Sequence, residues 1–397
     1  MTTPAVPSVV VGIVGAGTMG AGIGQVCLQA GHEVVLYDVD EAAIERGRAR
    51  IKEALSRKVT KGTLVESDLE RMIGALRHAL TLEAVATEAE VVIEAALEDL
   101  ELKRTIFRAL ATSAGRQTVL ATNTSALSVT EVAEASGAPE RVLGLHFFNP
   151  APLMPLVEVV LTERTAHATL AAGVRFVEGL GKQPIVCRDA PGFIVNRVNR
   201  PFTLEAMRLL EQGEASVEQI DQAIEGAGYP MGPLTLMDLV GVDVNYAVAT
   251  SLWQAFDGAV RFAPSFIQRR LVELGGLGRK TGEGFYRYEG GRPAGLSKSL
   301  SEVGVGSAEA GGFAAADIVS RIELAIINEA YHAAGEGVAE AGDIDRAMKL
   351  GANHPYGPFE RAGQLGLRQV IDGLARLEAT HGERFAVAPV LWQLASI

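Results

Sequence analysis

The 397 residues are 48% apolar and 21% charged, an ordinary globular composition that excludes a disordered chain and leaves room for two or three domains, each with its own core. A formal charge of −12 argues against nucleic acid as a partner, though not against an anionic ligand in a locally basic pocket. Cys27 and Cys187 are the only cysteines, so neither a disulfide framework nor a thiol zinc site is expected. No secretory leader and no uncharged apolar run of about 18 residues is visible, so the expectation is a cytoplasmic protein with no membrane partner and no metal.

Val9 to Val14 is a short apolar run rich in β-branched residues, which reads as a buried parallel strand. Gly15-Ala16-Gly17-Thr18-Met19-Gly20 follows at once, and Ala21 to Ala30 reads as a helix ended by Gly31. In such a turn the first glycine permits the sharp bend, the second lets a pyrophosphate approach the backbone, and the third packs helix on strand. The N–H groups at the helix start, around Thr18 and Met19, then hold the phosphates. A second strand, Glu33 to Tyr37, ends at Asp38, 23 residues after Gly15. An acid at that place hydrogen-bonds two ribose hydroxyls and repels a 2′-phosphate, so the cofactor expected is NAD rather than NADP.

Glu41 to about Lys58 is helical by pattern, and a second helical stretch runs from Gly62 to about Leu76. Arg46, Arg48, Arg50, Lys52, Arg57, Lys58 and Lys61 make this segment basic within an acidic chain, either as a solvated face or as a patch for a phosphate-bearing ligand. Two more strand–helix units follow. Glu90 to Ala96 leads to Glu98 and a helix from Leu100 to Leu110, and Thr118 to Thr122 leads to Asn123-Thr124-Ser125 and a helix from about Val129. Residues just past the carboxyl ends of strands face the ligand crevice of a doubly wound sheet, which makes Glu98, Asn123 and Ser125 candidates for cofactor or substrate contact.

Val142 to Leu145 reads as a strand closed by His146 and the turn Phe147-Phe148-Asn149-Pro150, and Leu156 to Leu161 as its neighbour carrying Glu158. Adjacent strands joined by a loop can set a carboxylate against an imidazole, where it fixes the tautomer of a general base. A helix from about His167 to Gly179 and a strand, Gln183 to Cys187, lead to the turn Arg188-Asp189-Ala190-Pro191-Gly192, which reads as a domain boundary.

Beyond it helices dominate and the chain repeats. Ile194-Val195-Asn196-Arg197-Val198 returns 124 positions later as Ile318-Val319-Ser320-Arg321-Ile322, and Glu205-Ala206 and Ile220-Asp221 return at the same offset. Pro230-Met231-Gly232-Pro233 matches Pro355-Tyr356-Gly357-Pro358 after a one-residue slip. The domains expected are 1–190, 191–289 and 313–397, with a linker at 290–312 rich in glycine, serine and alanine.

GAGTMG at 15–20, NTSAL at 123–127, HFFNPAPLMPLVEVV at 146–160, DAPGFIVNRV at 189–198 and GRKTGEGFYRY at 278–288, in this order, resemble the 3-hydroxyacyl-CoA dehydrogenase family, close to its 3-hydroxybutyryl-CoA dehydrogenases. The resemblance implies a Rossmann-type doubly wound α/β domain followed by two tandem all-α domains of the 6-phosphogluconate dehydrogenase C-terminal kind. It implies reversible oxidation of 3-hydroxyacyl-CoA by NAD in fatty-acid β-oxidation or related CoA-thioester metabolism. The family's catalytic histidine falls on His146 and its orienting glutamate on Glu158, with Ser125 and Asn196 as positioning groups near the reacting oxygen. Glu98 and Lys103 match positions at the nicotinamide end of the cofactor, Asn149 lies in the substrate-side loop, and Lys58 and Lys61 match the region that meets the CoA 3′-phosphoadenosine. The second helical copy carries Ser320 where the first has Asn196 and is expected to be structural, giving either a homodimer or a pseudo-dimer inside one chain. Two other readings are a dehydrogenase of a free hydroxy acid or sugar acid and a non-catalytic NAD-binding protein.

Overall fold

The protein was analysed as a computed structural model that describes residues 8–305 and 313–395. It divides into two units, Met1–Ala190 and Pro191–Ile397. In the first, eight strands form one sheet: β1 (Val10–Val14), β2 (Glu33–Tyr37), β3 (Leu76–His78), β4 (Val91–Glu94), β5 (Val119–Thr122), β6 (Val142–Phe147), β7 (Leu156–Leu161) and β8 (Gln183–Arg188). Their order is β3-β2-β1-β4-β5-β6-β7-β8, with β1 to β6 parallel. The apolar runs are buried on both faces: β1 sends Val11 and Ile13 into one helix-covered layer and Val14 into the other. Chain order reverses between β1 and β4, so the crevice beyond their carboxyl ends is the place for a ligand.

β7 breaks the parallel pattern. It runs antiparallel to β6, and its register sets His146 directly opposite Glu158. Only a short loop is needed for such a reversal, and residues 148–155 supply it.

Three sequence expectations change in detail. The first helix starts at Thr18, inside the glycine motif rather than after it. The segment expected to be helical up to Leu76 ends at Gly74, and Leu76–His78 is a three-residue edge strand of which only Leu76 is buried. Of the expected linker, residues 290–305 are largely structured. β9 (Tyr286–Glu289) and β10 (Arg292–Leu296) pair through Gly290-Gly291, whose φ values of 56° and 80° are those a two-residue hairpin turn demands, and the helix Lys298–Val303 follows. The rest of that stretch, 306–312, lies outside the described residues.

The second unit is helical and carries the repeat. Asp221 accepts from the N–H groups of Leu234 and Thr235 at 2.9 and 3.0 Å, capping the helix Pro233–Val240. Asp345 does the same for Phe359 and Glu360 at 2.8 and 3.0 Å at the head of Pro358–Leu365. The glycine of each Pro-x-Gly-Pro is needed there: a Cβ on Gly232 or Gly357 would fall 2.3 or 2.2 Å from the capping aspartate's Cγ. The copies differ where Pro201 stands. Proline offers no N–H to the carbonyl four residues back, and the first copy has two helices, Val195–Val198 and Arg200–Glu211. The second copy has Ala325 at that place and one unbroken helix, Ala315–Gly335.

The two copies clasp each other reciprocally. Arg197 donates through Nε to Glu329 at 2.6 Å and through Nη1 to Glu336 at 2.7 Å. Arg321 donates through Nε to Glu205 at 2.9 Å and through Nη2 to Gln212 at 2.8 Å, so each arginine takes the acceptors of the other's copy. Arg261 and Arg384 complete the exchange on Glu329 and Glu205 at 2.9 and 3.2 Å. Burial alone would raise the Glu205 pKa, but Arg208, Arg321 and Arg384 outweigh it and hold the carboxyl below its usual range. Glu205→Leu takes the acid from the largely buried Arg208 and Arg384 and one of two acids from Arg321, and is expected to cost about 3–5 kcal/mol in urea unfolding of the helical unit. An unfolding curve unchanged from wild type would show that the clasp does not hold the copies together.

Candidate active site

The glycine loop is shaped by close approach. Gly15 has φ of 103°, and a Cβ there would lie 2.5 Å from the Ala95 carbonyl, which lets β1 turn beside the end of β4. A Cβ on Gly20 would fall 1.8 Å from the Gly15 carbonyl. Gly17 is the opposite case: exposed, in an extended conformation any residue adopts, with nothing within 4 Å of a built Cβ. It heads the helix Thr18–Gln29, whose first turn, with Thr18 and Met19, has no side-chain cap. Uncapped N–H groups beside an open glycine form an anion cradle. Asp38 borders it, accepting from the Ala16 N–H at 2.8 Å through Oδ2 and the Asp40 N–H at 3.2 Å through Oδ1. A carboxylate offers about four acceptor positions, so capacity remains for hydroxyl donors.

Past β4 and β5 lies a buried charge network. Lys103, fully buried, donates to Glu94 at 2.6 Å and reaches Glu98 at 3.3 Å. Glu94 also accepts from the Thr122 hydroxyl and the Ala96 N–H, both at 2.7 Å. Glu98 accepts from the Thr124 hydroxyl at 2.6 Å and from Ser125 through its N–H at 2.8 Å and its hydroxyl at 3.3 Å. Burial works to raise the Glu98 pKa, but the Lys103 charge and the Thr124 and Ser125 bonds prevail, and the carboxyl is held below its usual range. Asn123 accepts from the Phe147 N–H at 2.9 Å through Oδ1, tying the end of β5 to the end of β6. Glu94 escaped the sequence reading, although an acid closing an apolar strand nine residues before a lysine is a usable signal.

At the end of β6, His146 Nδ1 lies 2.6 Å from Glu158 Oε2. His146 is 6% exposed and Glu158 fully buried, so bulk water competes little for the bond. A carboxylate on Nδ1 fixes the orientation and tautomer of an imidazole. The Phe148 ring packs on the imidazole, 4.5 Å between centroids. Asn149 is exposed in the loop that follows.

Lys58 and Lys61, on and just after the helix Glu41–Thr60, have no ion-pair partner among the described residues, whereas Arg46 and Arg57 are paired with Asp40 and Glu53. Lys182, unnoticed in the sequence, donates to the carbonyls of Ala151 and Met154 at 2.7 and 2.8 Å, and burial together with the nearby Lys58 charge lowers its pKa. Asn196 stands in the second unit, half-buried on the helix Val195–Val198.

Sequence profiles of known families account for nearly the whole chain. The profile of the 3-hydroxyacyl-CoA dehydrogenase NAD binding domain matches residues 10–190, and that of the C-terminal domain matches 192–288 and 317–397. The chain belongs to the 3-hydroxyacyl-CoA dehydrogenase family. A 3-hydroxyadipyl-CoA dehydrogenase of Escherichia coli is 38% identical over 94% of this chain and 94% of its own length. The mitochondrial hydroxyacyl-coenzyme A dehydrogenase of Sus scrofa is 42% identical over 70% of this chain and 90% of its own. A crystal structure of a 3-hydroxybutyryl-CoA dehydrogenase from Escherichia coli superposes with a TM-score of 0.89 at 37% identity, covering 98% of this chain and 99% of that one.

As a member of this family the chain is an NAD-dependent oxidoreductase acting on CH–OH groups. The loop fits that cofactor: a Cβ at Gly17 would occupy space nothing in the chain fills, next to uncapped N–H groups. This separates two glycines that look alike in sequence. Gly17→Ala is expected to fold with stability equal to or up to ~1 kcal/mol above wild type, yet to bind NADH at least about tenfold more weakly, ~1.4 kcal/mol. Calorimetric titration beside a thermal melt measures both, and undiminished binding would remove Gly17 from the cradle. Gly20→Ala is expected to fail in folding.

Proposed function

We propose that the protein interconverts (S)-3-hydroxyacyl-CoA and 3-oxoacyl-CoA with His146 as the general base. The observation that carries this is the 2.6 Å bond between His146 Nδ1 and a fully buried Glu158, and we assign the proton transfer to Nε2. Nε2 takes the proton from the 3-hydroxyl while the C3 hydride leaves, and the imidazolium that forms is answered by the Glu158 carboxylate. NAD, when bound, supplies the hydride acceptor. Gly15, Gly17, Thr18, Met19 and Gly20 are assigned to its phosphates, Asp38 to its ribose, and Glu98, Lys103 and Asn123 to its nicotinamide end.

Ser125 is assigned to the reacting oxygen and Asn196 to the thioester side, with Asn149 lining the substrate loop. Positioning of this kind supplies much of the rate in a reaction where the protein adds no covalent step. Lys58 and Lys61 are assigned to the CoA phosphates, with Lys182 adding to the local positive field. Lys103 is not a base in this scheme, because two carboxylates already hold its ammonium. No helix among the described residues is long and apolar enough to cross a membrane. We assign the protein to the cytoplasm. We also read the reciprocal arginine clasp as an internal pseudo-dimer that replaces pairing between chains.

The test is NADH oxidation with acetoacetyl-CoA, run beside free acetoacetate. Wild type is expected to turn over the thioester alone. His146→Ala is expected to lose about 10²–10⁴-fold in kcat, the range of general-base catalysis, while NADH affinity holds. Equal activity on the free acid would overturn the CoA assignment, and near-full turnover in the variant would remove His146 from the chemistry.

A further inference from the structure

Glu94 closes β4 where three strand ends meet. The Ala95 N–H donates to the Val14 carbonyl of β1, and the Asn123 N–H, just past β5, to the Glu94 carbonyl, both at 2.7 Å. Among the described residues, each hydrogen-bond partner of the Glu94 side chain is a donor. Oε1 accepts from the Ala96 N–H and Lys103 Nζ, and Oε2 accepts from the Thr122 hydroxyl. Thr122 Oγ1 itself accepts from the Thr124 N–H at 3.3 Å, which leaves its own proton for Glu94. Three donors and no acceptor define Glu94 as a carboxylate. Burial opposes ionisation of Glu98, but the Lys103 charge and the bonds from Thr124 and Ser125 outweigh it. Glu94 and Lys103 are buried, whereas the Glu98 side chain is 40% exposed and forms the open end of the network.

One ammonium shared by two carboxylates leaves an excess of one negative charge. The rest of the helix Leu100–Ser113 does not cancel it. Arg104 is spent on Glu101 and Glu131, and the helix start is capped by Asp99, which accepts from the Leu102 N–H at 2.8 Å. Buried charges are little screened by salt, so the excess is felt beyond its own bonds. The strand order puts it in the path of the cofactor. The phosphate cradle lies past β1 and Asp38 past β2, while His146 closes β6 on the other side. A dinucleotide held by its pyrophosphate past β1, with one ribose at Asp38, extends its other half past β4 and β5. There its hydride-accepting ring lies between the cradle and a substrate whose hydroxyl meets His146.

We propose that Glu94, acting through Lys103 and Glu98, gives the nicotinamide end of the crevice a net negative charge that tilts affinity toward the oxidised cofactor. This rests on the reading of His146 as the base, which places the reacting end of the cofactor between β1 and β6. The nicotinamide ring is cationic in NAD⁺ and neutral in NADH. A fixed negative charge therefore separates the two forms, while their shared adenosine and phosphate contacts are indifferent to it. Only such a differential interaction can move the balance between them. Glu94 itself touches neither cofactor nor substrate in this scheme. It is a positioning residue, holding Lys103 against Glu98 and setting the sign of the charge the ring meets.

The test is calorimetric titration of the full chain with NAD⁺ and with NADH, without thioester, read as the ratio of the two dissociation constants. Glu98→Gln at the open end and Glu94→Gln at the buried end each remove the excess charge. Each is expected to raise Kd for NAD⁺ relative to Kd for NADH by at least about fivefold. The double variant Glu94→Leu, Lys103→Met removes one charge of each sign and leaves Glu98 alone. It is expected to keep the ratio within about twofold of wild type. A merely structural role would follow shape and not charge, weakening both cofactors together and setting the double variant furthest from wild type. An unchanged ratio in Glu98→Gln overturns the proposal whether or not the buried variants fold, and so does a double variant shifted as the single ones are. The titration needs no turnover, so a failure of the proposed function shows separately, as a wild type that binds both cofactors and leaves acetoacetyl-CoA unreduced.

Discussion

A carboxylate buried as deeply as Glu158 must be answered by a donor, because leaving it unpaired costs several kcal/mol. The donor is His146, directly opposite across the antiparallel pair of β6 and β7. Everything needed for this pairing follows from one departure from the parallel pattern: β7 returns beside β6 instead of crossing over through a helix. The reversal brings the imidazole and its partner together on neighbouring, hydrogen-bonded strands, with little freedom to drift. Asn123 adds a second restraint by accepting from the Phe147 N–H, so the β5 end that carries Ser125 is tied to the β6 end that carries His146. The Lys103–Glu94–Glu98 network ties the end of β4 to the helix that follows it.

Much of this was legible in the sequence because it depends on local pattern. The glycine motif, the strand closed by Asp38, and His146 and Glu158 on consecutive apolar runs are each short signals with a direct geometric consequence. What escaped depends on tertiary neighbours. β3 has three residues and one buried side chain, too little periodicity to oppose the helical pattern running into it. The hairpin at 286–296 was hidden by its glycines, which serve as turn residues here and not as flexible spacers. Lys182 and Glu94 look like ordinary charged residues at strand ends until their burial is seen.

The duplication repays the same kind of comparison. Two motifs persist in both copies because both must solve one problem: an aspartate caps the next helix, and glycine is the residue that leaves room for it. The arginine clasp persists because each copy supplies what the other lacks. The copies diverge at Pro201 and Ala325, where the first has a broken helix and the second a continuous one, and at Asn196 and Ser320.

Glu158, in the function proposed, acts on catalysis through His146 and does more than fill the core. The direct measurement is turnover of acetoacetyl-CoA by Glu158→Gln, which keeps shape and a hydrogen-bonding oxygen while removing the charge, with NADH affinity and thermal stability measured alongside. A fall in kcat of at least about a hundredfold with cofactor binding retained is expected. Turnover within a few-fold of wild type in a folded, NADH-binding variant would contradict it.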